Sequence, residues 1–189
     1  MKLTFLGTGD ARQVPVWGCQ CKACIRAKVM SNCQRRASCL VLESDGFRYL
    51  LDAGVHALST LFQPEEIDGI LVTHFHVDHV LALFQLRWGE GAAIPVHCPR
   101  DKHGCADLYR NSGLFKFKPF KKILTPLAIN ERHPGFQVTA LPLNHSKETL
   151  GYALSLEGQK IAYLCDTKGL PLETEQYLMT WQPNVIIVD

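Results

Sequence analysis

The sequence predicts an α/β fold, in closer terms an α+β arrangement of two layered mixed sheets covered by helices. Three observations carry that expectation. Short runs rich in Val, Ile, Leu and Tyr recur along the whole chain. The early runs are separated by little more than turns, as in hairpins. The later ones alternate with stretches of helical period, as in strand–helix–strand units.

Strands are expected over residues 3–6, 38–42, 48–51, 69–72, 95–97, 137–143, 152–156, 160–164 and 185–188. Helices are expected over residues 22–30, 55–62, 79–87, 102–110 and 172–181, the third opening just after a capping Asp78. Residues 111–134 mix aromatic, Lys and Pro side chains and read as a loop-rich surface insertion. No repeat, low-complexity tract or Ser/Pro-rich linker divides the chain, so residues 1–189 are expected to form a single domain.

Composition excludes more than it selects. The chain is 47% hydrophobic and 20% charged, with a formal net charge of +2, which gives no global pull toward nucleic acid or an anionic membrane. Charged residues, Gly and Pro interrupt every apolar run before the ~20 residues that cross a bilayer. The N-terminal segment runs into Gly7 without the apolar stretch and cleavage site of a secretory signal, so a cytoplasmic protein is expected. Eight cysteines are many for such a protein. Cys19, Cys21 and Cys24 are too crowded to bridge one another and are well spaced to grip one ion.

The densest chemistry is Thr73-His74-Phe75-His76-Val77-Asp78-His79, directly after an apolar strand. Imidazole and carboxylate are the usual ligands of zinc and related divalent ions. His74 and His76 share one side of an extended turn, while Asp78 and His79 turn away as a helix begins. One segment can therefore serve two neighbouring ions. At this motif the sequence resembles the metallo-β-lactamase superfamily, whose His-x-His-x-Asp-His signature it matches at every defined position. The resemblance implies an αββα sandwich with a binuclear site between its sheets. It also implies that His74, His76 and His145 hold the first ion and Asp78 and His79 the second, with Asp166 bridging. Asp78, Asp166 and His145 are the candidate catalytic residues. Asp52, ending a strand in Leu51-Asp52-Ala53-Gly54, is expected behind the ligands, fixing a metal-bound imidazole through its other N–H. The family needs one more histidine after a strand like residues 185–188. His97, His103 and His133 precede His145 and are poorly placed for that role, so the C-terminal part of the fold is expected to be missing.

A narrower resemblance rests on Trp17-Gly18-Cys19-Gln20-Cys21-Lys22-Ala23-Cys24, on Arg35-Arg36-Ala37-Ser38-Cys39, on Leu86-Arg87-Trp88-Gly89, on Asn144-His145-Ser146-Lys147 and on Asp166-Thr167-Lys168-Gly169. These look like the phosphoribosyl cyclic phosphate phosphodiesterases of bacterial phosphonate breakdown, and the likeness spans most of the chain. It implies two divalent ions, manganese or zinc, at the catalytic site and one structural zinc in a Cys-rich loop over residues 17–39, held by Cys19, Cys21 and Cys24. The fourth ligand is left open between Cys33, Cys39 and a histidine past Asp189. Metal hydroxide would attack phosphorus in a small cyclic phosphodiester, with Arg35, Arg36 and Lys147 as candidate phosphate contacts. No general acid is evident. The rivals are a tRNA 3′-processing nuclease, an ester or thioester hydrolase, and a catalytically silent metal-binding protein. Net charge weighs against a nucleic-acid partner, and a homodimer stays open.

Overall fold

Side chains alternate across a strand, so a strand buried on both faces feeds two cores at once. The computed structural model, which describes residues 1–44, 46–102 and 104–189, is built on that rule. Its first sheet is ordered β1-β2-β3-β4-β5-β6, comprising Lys2–Gly7, Cys39–Ser44, Phe47–Leu51, Gly69–Leu71, Ile94–Cys98 and Phe115–Pro119. The first three strands pair antiparallel and the rest parallel. The second sheet runs β11-β10-β9-β8-β7, from Val185–Val188 through Gln159–Leu164, Thr149–Leu156 and Gln137–Leu143 to Leu127–Ala128. It is antiparallel except where β11 joins β10.

The alternation shows which way each sheet looks. Leu40, Leu42, Tyr49, Leu51 and Leu71 meet Val138, Ala140, Tyr152, Leu154 and Tyr163 in the layer between the sheets. Their neighbours Val41, Leu50, Ile70 and Val72 point the other way, onto Leu58, Val80, Leu83 and Leu108 from the helical segments. On the far side of the second sheet, Leu141, Ala153, Ala162 and Leu164 pack against Leu178 of the helix Leu172–Trp181. The layers are therefore helix, sheet, sheet, helix, the predicted αββα sandwich. Among the described residues, no helix is long and apolar enough to cross a membrane.

Four expectations need correction. Residues 111–134 are not all loop: β6 lies inside them, paired in parallel with β5, and β7 pairs with the start of β8. The signal was a period of two, because Phe115 and Phe117 alternate with Lys116 and Lys118 across an edge strand that ends at Pro119. The helix expected over 79–87 is two short pieces, α3 Val77–Val80 and α4 Leu83–Leu86. Ala53 divides them: its N–H bonds His79 O at 2.7 Å and its carbonyl takes the N–H of Ala82 at 2.9 Å, replacing helical partners. The helix expected over 55–62 keeps one turn, α2 Leu58–Leu61, with Pro64 shortly beyond. The helix expected from 102 begins at Ala106, as α5 Ala106–Arg110, and His103 lies outside the described residues. The helix Lys22–Val29 is α1 and Leu172–Trp181 is α6, both close to their expected bounds.

Candidate metal centre

Strands β3, β4, β8 and β10 all finish at one rim of the sandwich, and the segments after them carry the predicted ligands. β4 runs out through Val72 and Thr73 into His74-Phe75-His76, β3 leads to Asp52, β8 to His145 and β10 to Asp166. Asp52 and Asp166 take φ of +58° and +57°. Aspartate is one of the few L residues that accepts this left-handed conformation, and here it turns a carboxylate into the site where the extended strand stops.

Two groups of donors converge. The ligand atoms of His74, His76 and His145 all lie within 4.8 Å of one another, as do those of His74, His79 and Asp166. His76 Nδ1 stands 2.8 Å from His74 Nε2 and 3.0 Å from His145 Nε2. Donors around a tetrahedral zinc at ~2.0–2.1 Å stand roughly 3.3 Å apart. His76 therefore needs to part from the other two rings by only a few tenths of an ångström for the three to share an ion, and the residues fit it. Asp166 Oδ2 lies 2.6 Å from His79 Nε2 and 3.8 Å from His74 Nε2, between the groups. Asp78 stands beside them, with Oδ2 3.6 Å from His79 Nε2 and outside both triads.

Behind the donors, Asp52 organises the tautomers. It is fully buried and accepts the Thr73 N–H at 2.8 Å, the Thr73 hydroxyl at 3.0 Å and His79 Nδ1–H at 2.8 Å. Ser38 and Tyr163 hydroxyls reach it more weakly, at 3.5 and 3.4 Å. With its hydrogen committed to Asp52, Thr73 Oγ1 is left to accept from His74 Nδ1, 3.1 Å away. Both imidazoles thus spend Nδ1–H on the protein and turn Nε2 to the centre. Burial, then the charge of His79, drives His74 down to about 2 and keeps it neutral. Burial also lowers His79, but Asp52 and Asp166 on either side outweigh it and raise the imidazole to about 10. The hydrogen bond from His79 holds Asp166 down at about 2. A divalent cation at the same point answers the same carboxylates.

Asp52 lies behind the donors, where sequence reasoning put it; that reasoning missed Thr73, Ser38, Tyr163 and Asp189. Thr73 reaches Asp52 because β3 and β4 run parallel with Leu51 opposite Leu71, a register that spacing in the sequence does not reveal. Asp189 Oδ1 accepts the Asp166 N–H at 2.8 Å, a pairing that only the adjacency of β10 and β11 creates. A cavity of about 310 Å³ opens beside the centre, lined by Gly7–Asp10, Asp78, His79, Asp166 and Asp189 among others. The predicted phosphate contacts scatter. The Arg35 guanidinium bonds the carbonyls of Gln34 and Asn32, Arg36 lines a neighbouring groove, and Lys147 sits 3.7 Å from Asp101; burial, then His145, lowers the pKa of His76, with Lys147 adding less. His97 is buried away from the centre and His133 packs on Phe47.

The cysteine loop draws its three thiols together. The Sγ atoms of Cys19, Cys21 and Cys24 lie within 4.8 Å of one another, beside Val16, whose N–H points at Cys24 Sγ. Backbone N–H groups at the start of α1, that of Cys24 foremost, lower Cys21 to about 7. Cys33 and Cys39 stay outside this cluster, Cys39 being buried in the core under the first sheet.

A group of three histidines and a His–His–Asp group, sharing His74 on the rim of an αββα sandwich, define a class of protein, one whose fold gathers donors suited to divalent cations. The profile of the beta-lactamase superfamily domain matches residues 47–189, and the chain belongs to the metallo-β-lactamase superfamily, with its hydrolase fold. Among curated proteins it is 29% identical over 186 residues to ribonuclease BN of Erwinia tasmaniensis, covering 82% of this chain and 57% of that one. It is 35% identical over 89 residues to an octanoyltransferase of Porphyromonas gingivalis, covering 46% of this chain and 18% of that one. Among solved structures, a diphosphatase from the PhnP family superposes with a TM-score of 0.77 at 22% identity, over 97% of this chain and 71% of that one. The chain thus spans between 18% and 57% of the length of these curated relatives.

Proposed function

We propose that the chain is a metal-dependent phosphodiesterase that opens a small cyclic phosphodiester of a phosphoribosyl compound, in phosphonate catabolism in the cytoplasm. The observation that carries this reading is Asp166 Oδ2 set between the two imidazole groups, 2.6 Å from His79 and 3.8 Å from His74. A carboxylate so placed would be available to two cations, manganese or zinc, held by the imidazoles on either side. Two such ions supply Lewis acidity toward phosphoryl oxygens and lower the pKa of water in an in-line displacement. The chain's residues do the rest. His74, His76 and His145 would hold one ion and Asp78 with His79 the other, Asp166 being shared between them. Asp166, ionised at neutral pH, accepts a water hydrogen and so orients the attacking oxygen, while Asp52 and Thr73 hold the imidazoles still. The three thiolates take a structural zinc that ties the loop before α1.

A second reading is a ribonuclease of the tRNA-processing kind, supported by the 82% of the chain that aligns with ribonuclease BN. It shares the chemistry and differs in the size of its substrate. Metal-loaded protein is assayed on bis(p-nitrophenyl) phosphate, on a ribose cyclic phosphate and on a precursor tRNA over a range of salt. Turnover of the small esters with little salt dependence supports the first reading. Turnover confined to the RNA, with affinity falling steeply with salt, replaces it with the second. No phosphodiester hydrolysis by protein that holds its ions leaves the ester or thioester hydrolase, tested on acyl substrates, and the catalytically silent reading.

A further inference from the structure

Away from the metal centre, the open edges of the two sheets enclose a cleft of about 730 Å³ between β6, β7 and the segment joining them. Small-molecule pockets run ~300–1,000 Å³. Its chemistry is uneven. Phe117, Phe120, Leu127 and Ile129 give apolar walls, Lys118, Lys121 and Lys122 give three ammonium groups, and Glu131 gives one carboxylate. Among the described residues, none of the three lysines is in an ion pair. The wall is fixed in place, because the Arg100 guanidinium bonds the carbonyls of Phe120 and Lys121, both at 3.1 Å.

The base of the cleft holds an anomaly. His97 lines it, is 5% exposed, and its Nε2 has no hydrogen-bond partner among the described residues. Buried polar atoms nearly always find partners, and leaving one unpaired costs about 1–3 kcal/mol. Burial, reinforced by Lys118, lowers His97 to about 4, so the ring is neutral and able to donate or accept a hydrogen bond. Packing alone does not require a histidine here, since its ring meets Phe120 with centroids 5.8 Å apart and an apolar ring serves that contact as well.

We propose that this cleft is a binding site for a small organic anion with a flat apolar body, such as an aryl carboxylate or sulfonate, which lies against Phe120, pairs its charge with Lys121 and Lys122 and, by drawing the covered His97 ring toward the cleft, gives its Nε2 a partner. The site is separate from the metal centre and does not depend on the reaction proposed for it.

The test uses the full metal-loaded chain with 8-anilinonaphthalene-1-sulfonate as the probe, read by its fluorescence and by the nitrogen-15 resonances of histidine-labelled protein. The expected result is saturable binding that shifts the His97 Nε2 resonance. Lys121→Glu/Lys122→Glu weakens the dissociation constant by about tenfold or more, with the thermal midpoint unchanged. His97→Phe, which removes the unpaired nitrogen without emptying the space, weakens binding while holding or raising the midpoint. The proposal is overturned if the His97 resonance stays fixed at saturating probe. It is equally overturned if the double variant binds as the parent does, which would place the probe elsewhere, for instance in the apolar pocket beside Trp88.

Discussion

Replacing Asp52 with asparagine separates its role in orienting ligands from its role in packing. The amide side chain keeps the volume, and asparagine tolerates the φ of +58°. What it loses is the ability to accept on both sides. In the parent, Oδ1 takes Thr73 N–H at 2.8 Å and Thr73 Oγ1 at 3.0 Å, while Oδ2 takes His79 Nδ1–H at 2.8 Å. The amide has one acceptor, and the Thr73 backbone claims it, so its NH₂ then faces the His79 Nδ1–H donor to donor. The imidazole escapes by moving its proton to Nε2, the atom 2.6 Å from Asp166. A protonated Nε2 cannot ligate. Loss of this kind of support costs metal affinity about 10–100-fold, or about 1.4–2.7 kcal/mol. Asp52→Ala is a different perturbation. It strips all three short bonds from buried donors, at about 1–3 kcal/mol each, and is expected to cost much of the ~5–15 kcal/mol that holds a typical domain together. The assay is elemental analysis after dialysis against graded chelator, with urea unfolding of the metal-free protein in parallel. If Asp52→Asn retains both catalytic ions at parental chelator concentrations, Asp52 serves packing alone and the tautomer argument is wrong.

Three other outcomes follow from the structure. His145→Ala opens the group around His76 Nδ1, where it stood 3.0 Å away. It is expected to lower the metal content by one ion per chain and hydrolysis by more than about 100-fold, and unchanged metal content refutes its place as a ligand. Gly54→Ala puts a Cβ 1.8 Å from the Asp78 carbonyl oxygen and 2.7 Å from that of Ser38, both backbone atoms. It should destabilise by about 3 kcal/mol or more, seen as a lower urea midpoint. Cys24→Ser removes the buried member of the thiolate cluster; it should cost one zinc per chain and make the loop before α1 quicker to be cut by protease, while both catalytic ions remain.

Legibility divided along physical lines. The His74–His79 motif could be read because its residues are neighbours in sequence, and spacing alone aims them at one region. His145 and Asp166 could be placed only by family order, since nothing local distinguishes a histidine after β8 from a turn residue. The two-sheet core was written in the alternation of Leu40 and Leu42 against Val41, or of Leu50 against Leu51. The break between α3 and α4 could not be read. It depends on Ala53, 26 residues before His79 in sequence, supplying backbone partners to both pieces. The strand β6 was readable but masked by its lysines, which made a half-buried edge look like surface loop.

The left-handed aspartates explain why the site sits where it does. A strand that ends in extended geometry throws its next side chain up or down, into one of the sheet's two faces. An αL residue breaks that alternation at the rim and aims its carboxylate along the strand direction, toward the gap between sheets. The fold uses this once from each sheet, with Asp52 after β3 and Asp166 after β10. Their carboxylates hold opposite nitrogens of the same ring, His79 Nδ1 and Nε2, at 2.8 and 2.6 Å. One imidazole therefore ties the rim of the first sheet to the rim of the second. The strained backbone at both ends is held by bonds from elsewhere in the fold: Asp52 N–H to Leu71 O at 2.9 Å and Asp166 N–H to Asp189 Oδ1 at 2.8 Å. The distance between the two donor groups is consequently set by how the sheets pack, which makes the inter-sheet core around Tyr152 and Tyr163 part of what positions the centre.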